Sequence, residues 1–235
     1  MMRIAMWSGP RNLSTAMMYA FGNRADCEAW DEPFYAAYLA ETGLEHPMRR
    51  EILASQPPHF GAVVERILAR PSRPVQYLKL MTHHMLPGCD LGWAKGSANV
   101  HLLRHPARVI ASYTAKRAVP EVTLDDIGFA QAQRIYAALP GPVIDSAGIR
   151  ADPEAMLRAL CTAIDLPFDP AMLSWPAGSK PFDGIWAQHW YDAVHNSTGF
   201  AAAEGPLPTV APEHRALLDE ALPIYEGLFA ARLRP

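Results

Sequence analysis

Two short stretches gather the donors that an oxyanion needs. One is Trp7-Ser8-Gly9-Pro10-Arg11-Asn12-Leu13-Ser14-Thr15; the other runs Leu103-Arg104-His105-Pro106-Ala107-Arg108, with Ser112 eight residues beyond Arg104. Arginine presents a fork of N–H donors matched to phosphate or sulfate oxygens, and serine and threonine add hydroxyls. Groups of another kind lie between them: the acids Asp31-Glu32, and Lys79, Thr82, His83 and His84. An imidazole titrates near neutrality, which suits it to taking a proton from a hydroxyl. The adjacent histidines do not make a natural chelate, because neighbours on a helix or strand point apart. With no third ligand close by in the chain, no metal is expected.

The elements that position these groups follow from hydrophobic pattern and breakers. Arg3 to Trp7 forms a short apolar run that predicts a buried strand, and Ser14 to Phe21 predicts the start of a helix. A strand, a tight turn and a helix N-terminus aim unpaired N–H groups and the positive end of the helix dipole at whatever fills the turn. Cys27 to Trp30 predicts a second strand stopped by Pro33, leaving Asp31 and Glu32 at its carboxyl edge. In open parallel sheets that edge is where ligands bind. Glu41 to Arg70 predicts two helices broken at Pro57-Pro58, Val75 to Met81 a third strand, and Val100 to Leu103 a fourth that delivers Arg104. Thr123 to Leu139 predicts a capped helix, Val143 to Ser146 the last strand, Asp152 to Ile164 a helix, and Val210 to Arg234 a closing one.

Composition narrows the partners. The chain has 235 residues, half of them apolar, enough for one α/β domain. A net charge of −3 argues against nucleic acid or anionic membrane as the main partner. No apolar run reaches the ~20 residues of a membrane span. Cys27, Cys89 and Cys161 are odd in number and widely spaced, as free thiols in a reducing cytoplasm would be. A cytoplasmic enzyme is therefore expected.

The first loop falls close to a Walker A pattern, but its Gly-Lys-Ser/Thr positions hold Ser14, Thr15 and Ala16. Instead, Pro-Arg-x-x-Ser-Thr resembles the 5′-phosphosulfate loop of sulfotransferases that use 3′-phosphoadenosine 5′-phosphosulfate (PAPS), with Asn12 and Leu13 where that family has Ser and Gly. Arg104 and Ser112 are similar to that family's 3′-phosphate segment, Arg-x-Pro followed by Ser. The resemblance spans nearly the whole chain and implies a P-loop-type α/β sandwich with a mainly parallel sheet, a single domain over 1–235. It implies PAPS as co-substrate and a hydroxyl or amine of a small molecule as acceptor. Arg11, Asn12, Ser14 and Thr15 would hold the phosphosulfate, and Arg104 and Ser112 the 3′-phosphate. Glu32 matches a proposed general base, with His84 (or His83) the alternative, and Lys79 would assist. A magnesium-dependent kinase or hydrolase on the same fold is the rival; the missing loop lysine and a fourth strand ending in arginine speak against it. A non-catalytic nucleotide-binding protein is the other. Where that family carries a late basic loop over the nucleotide, this chain has an aromatic stretch within about 172–210, either a lid or a segment packed on the core.

Overall fold

The computed structural model describes residues 1–116 and 122–235. Five parallel strands form one sheet: β1 (Met2–Ser8), β2 (Cys27–Asp31), β3 (Val75–Met81), β4 (Ala98–Leu103) and β5 (Val143–Asp145), in the order β2-β3-β1-β4-β5. β1 is central and buried on both sides, which is why it lacks polar alternation. Ile4 and Met6 enter a core with helices α1 (Ser14–Gly22) and, beyond β5, α7 (Ser146–Ala151) and α8 (Pro153–Ala163). Ala5 and Trp7, pointing the other way, pack with residues of α4 (Phe60–Leu68) and α6 (Phe129–Ala138). Two polar groups inside the sheet layer are paired: Arg3 donates to Gln76 Oε1 at 2.6 Å, and Trp7 Nε1 to Asn99 Oδ1 at 2.9 Å.

Parallel pairing brings all the strand carboxyl ends to one edge. The register sets Ser8 beside Met81 and Leu102, and Asp31 beside Lys79. From β1 the chain leads to the β2–β3 side; from β4 it leads to β5 on the other. The β1 and β4 loops therefore flank the point where the winding reverses, the position at which such sheets hold ligands. α5 (Pro106–Lys116) follows β4 at once.

Several helices differ from the sequence reading. α2 (Tyr35–Thr42) starts two residues after Pro33, ahead of the Glu41 at which the first helix was expected, and buries its first five residues. α3 (Arg49–Ser55) and α4 are the two expected helices, with Pro57 and Pro58 between them. The helix predicted from Thr123 begins only at Phe129. Thr123 and Asp126 do cap a turn, but only a single one: Asp126 Oδ2 accepts from the Thr123 N–H at 2.8 Å, and Thr123 Oγ1 accepts from the Asp126 N–H at 3.2 Å. Gly128, at φ 74°, then turns the chain, a conformation costly for any other residue. This turn leans on the first loop: a Cβ on Gly9 would stand 2.6 Å from the Ile127 carbonyl oxygen, and one on Gly128 would stand 2.5 Å from Thr82 Oγ1 and 3.4 Å from Gly9 Cα. Two short helices, α9 (Ala187–Trp190) and α10 (Asp192–His195), carry the aromatic stretch. The closing helix α11 runs from Arg215 to Ala230, shorter at both ends than expected, because Pro212–His214 forms a separate 3-10 turn.

Candidate active site

The first loop owes its shape to two non-glycine residues in left-handed conformation, Arg11 at φ 64° and Leu13 at φ 72°. Such alternation turns backbone N–H groups inward and makes an anion-sized concavity. No side chain caps α1, so its leading N–H groups stay available beside the hydroxyls of Ser14 and Thr15. Asn12 is buried and ties the loop to the sheet, its Nδ2 donating to the Leu102 carbonyl at 3.2 Å.

Folding brings the second donor stretch against the first. Arg11 Nε donates to Ser112 Oγ at 2.9 Å, and Arg104 Nη1 donates to the Arg11 carbonyl at 2.8 Å. Arg11, Arg104 and Ser112 thus form one patch from residues about a hundred positions apart. Burial, and secondarily the charge of Arg104, lower the Arg11 pKa from its ordinary value. The patch extends to residues that sequence reading had given no role. Glu204 pairs with Arg104, with Arg108 at 3.1 Å and with Arg150 at 2.9 Å. Arg150 sits on α7, directly after the β5 carboxyl end, so its strand-edge position was a usable signal. Glu204 had none beyond lying in the region searched for a basic loop.

A second ionic group sits at the ends of β2 and β3. Asp31 and Lys79 are cross-strand partners, so their side chains lie on the same face. Lys79 Nζ donates to Asp31 Oδ1 at 2.9 Å, to Glu32 Oε1 at 2.7 Å and to the Tyr191 hydroxyl. All three ammonium donors are spent, and the side chain is 1% exposed. Burial alone would lower the Lys79 pKa, but Asp31 and Glu32 outweigh it and raise the value, so the ammonium stays charged. Tyr191 donates to Asp31 at 2.8 Å; burial first, and then Asp31, raise its own pKa well above the usual phenol value. The Gly184 N–H adds a bond to Asp31 Oδ2 at 2.9 Å.

The two candidate bases stand next to each other. Glu32 Oε2 lies 4.0 Å from His84 Nε2, and the His84 ring is stacked between Tyr35 and Tyr38, at 4.8 and 4.7 Å. His83 lies 4.4 Å away, ring to ring. Thr82 spends its hydroxyl on the Gly128 carbonyl at 2.9 Å. Among the described residues, no group of three His, Cys, Asp or Glu side chains is placed to hold a metal ion.

These groups line two adjoining cavities. One, of about 130 Å³, is walled by Glu32, Tyr35, Lys79, His84 and Trp186; the other, of about 280 Å³, by Asn12, Arg104, Arg150, Ser197 and Glu204. Arg11, Ser14, Thr15, Trp190 and Tyr191 line both. The aromatic stretch packs on the core and also lines the cavities. Trp175, Trp186 and Tyr191 are buried in the main core while the last two also wall the cavities.

Comparison with known proteins gives the family and the fold. Among curated proteins, the chain is 34% identical over 231 residues to branched-chain-amino-acid aminotransferase-like protein 2 of Arabidopsis thaliana, and 36% identical to protein 1 of the same name. Each match takes in 96% of this chain and 41% of the relative, so the chain spans about two fifths of those proteins' length. Among solved structures, the sulfotransferase domain of the Synechococcus PCC 7002 olefin synthase aligns with a TM-score of 0.54 at 17% identity, over 99% of this chain and 95% of that one. The sulfotransferase domain from the curacin biosynthetic pathway aligns at 0.50 and 15%, over 99% and 92%. At such identity the structural likeness speaks for the P-loop-like α/β fold alone. The sulfotransferase domain family matches from residue 2 to residue 232, and to that family this protein belongs.

Proposed function

We propose that the protein transfers a sulfuryl group from PAPS to a hydroxyl or amine of a small molecule. The observation that carries this reading is the pair of cavities meeting at Arg11, Ser14 and Thr15. An anion held there faces a cationic chamber on one side and a chamber with proton acceptors on the other. The larger cavity takes the nucleotide, with Arg11, Asn12, Ser14 and Thr15 around the phosphosulfate and Arg104 and Ser112 at the 3′-phosphate. The smaller cavity takes the acceptor.

In the reaction the acceptor oxygen or nitrogen attacks sulfur, and the bond from sulfur to the 5′-phosphate oxygen breaks. 3′,5′-ADP leaves, and the acceptor proton passes to Glu32. Charge on the departing phosphate is met by Arg11 and the helix N–H groups, donors already in place before the reaction. Positioning supplies much of the remainder. Lys79, with its donors committed to Asp31, Glu32 and Tyr191, acts by orienting Glu32.

Calorimetry with 3′,5′-ADP and AMP tests the donor site. Arg104→Ala is expected to lose on the order of 10- to 100-fold in affinity for 3′,5′-ADP, the usual worth of a charge-assisted contact, and hardly any for AMP. Equal losses for both nucleotides overturn the 3′-phosphate assignment. A screen of acceptors with labelled donor then identifies the second substrate.

A further inference from the structure

Among the described residues, the carboxylate of Glu204 is the one anion set among the arginines of the larger cavity. It is 3% exposed, whereas Arg104, Arg108 and Arg150 around it retain between 15% and 22%. Arg104 bonds to Glu204 through Nη2 and to the Arg11 carbonyl through Nη1, and its buried Nε has no hydrogen-bond partner. Three cations thus surround a single negative charge, and one of them keeps a donor unused.

The segment that delivers Glu204 is attached almost wholly through those arginines. Arg150 Nε donates to the Ala202 carbonyl at 2.7 Å, and Arg108 donates to the Gly205 carbonyl. No backbone-to-backbone hydrogen bond among the described residues holds Ala201–Gly205. Ala201, Ala202, Ala203 and Gly205 are exposed, so only the Glu204 side chain is tucked in. Such a segment leaves its place at little cost once a better anion takes the arginines.

From this we infer that Glu204 sets donor specificity, its carboxylate standing on the Arg104 face to which the donor's 3′-phosphate binds. The inference rests on the donor-site reading above. A carboxylate carries one negative charge, whereas a phosphate monoester at neutral pH carries ~1.5 to 2 and three acceptor oxygens. A nucleotide with a 3′-phosphate therefore displaces Glu204 and completes the bonds Arg104 leaves open. A nucleotide without one leaves Glu204 in place and gains nothing from the three arginines. Glu204 thereby acts as an internal competitor that every donor must outbid.

Calorimetric titration of wild type and Glu204→Gln with 3′,5′-ADP and with AMP decides the matter. The amide removes the competing charge, so Glu204→Gln is expected to bind 3′,5′-ADP about tenfold tighter or more and AMP unchanged within about twofold. Unchanged or weaker binding of 3′,5′-ADP by the folded variant overturns the inference. If Glu204→Gln fails to fold, the wild type supplies the answer through a Glu-specific protease. Cleavage between Glu204 and Gly205 is expected to accelerate with 3′,5′-ADP and not with AMP; slowing, or no change, with 3′,5′-ADP overturns the inference. The two readings fail separately. A wild type that prefers 3′,5′-ADP to AMP while Glu204→Gln binds no tighter sinks the role of Glu204 alone. Equal binding of both nucleotides by both proteins sinks the donor site as well.

Discussion

The two ionic clusters along the strand carboxyl edge handle charge in opposite ways. At the β2–β3 end one ammonium, Lys79, meets two carboxylates, Asp31 and Glu32, with exposures of 1%, 1% and 12%. At the β1–β4 end the guanidinium groups of Arg104, Arg108 and Arg150 meet, among the described residues, a single acid, Glu204, with Arg11 beside them. The first spends all three ammonium donors on local partners, as a buried ion pair must if its desolvation cost is to be repaid. The second is left positive and open to a cavity, which is how a protein attracts an anion. One edge of a sheet thus carries a lysine whose donors are all committed and a group of arginines with positive charge left over.

Substitution can sharpen that contrast or break it. The largest effect is expected in the transfer rate. Glu32→Gln should lower the rate at saturating acceptor by about 10²- to 10⁴-fold, the usual worth of a general base, with 3′,5′-ADP affinity barely changed. If transfer survives in Glu32→Gln and vanishes in His84→Ala, the proton goes to the imidazole instead. Next comes stability. Lys79→Met leaves Asp31 and Glu32 without their counter-charge and should cost about 3–5 kcal/mol in chemical denaturation. A loss below about 1 kcal/mol would mean that the cluster behaves as a hydrated surface pair, and the contrast between the two ends would lapse. The smallest effect belongs to Leu13→Gly. Relief of the left-handed backbone gains about 1 kcal/mol and lost packing against the main core returns part of it. The melting temperature should move by only a few degrees, and a large fall would show that the Leu13 side chain holds the loop.

Much of this site was legible in the residues themselves. The run Val75 to Met81 is a strand with the boundaries the sequence suggests, and Lys79 within it stands out because strands buried on both faces seldom carry an amine. Pro33 marked the end of β2 and so put Asp31 and Glu32 at the binding edge. Arg11 and Arg104 were visible because each follows an apolar strand and precedes a helix. What escaped was set by topology. Glu204 reaches Arg104 across 100 residues and Arg150 across 54, and no local period links such positions. Tyr191 reaches Asp31 across 160, so its part in the buried pair was equally hidden. The late start of α6 had a local cause, since Gly128, left-handed at φ 74°, breaks the chain after the single turn that Thr123 and Asp126 cap.

The contact between Gly9 and Gly128 has a consequence for how this protein can change over generations. A methyl group acquired by Gly9 would meet the Ile127 carbonyl and drive the turn before α6 away from the first loop, while one on Gly128 would meet the Thr82 hydroxyl. Each glycine is therefore answerable to a distant stretch of chain, and a lineage that enlarges Gly9 must also rebuild the turn at Ile127.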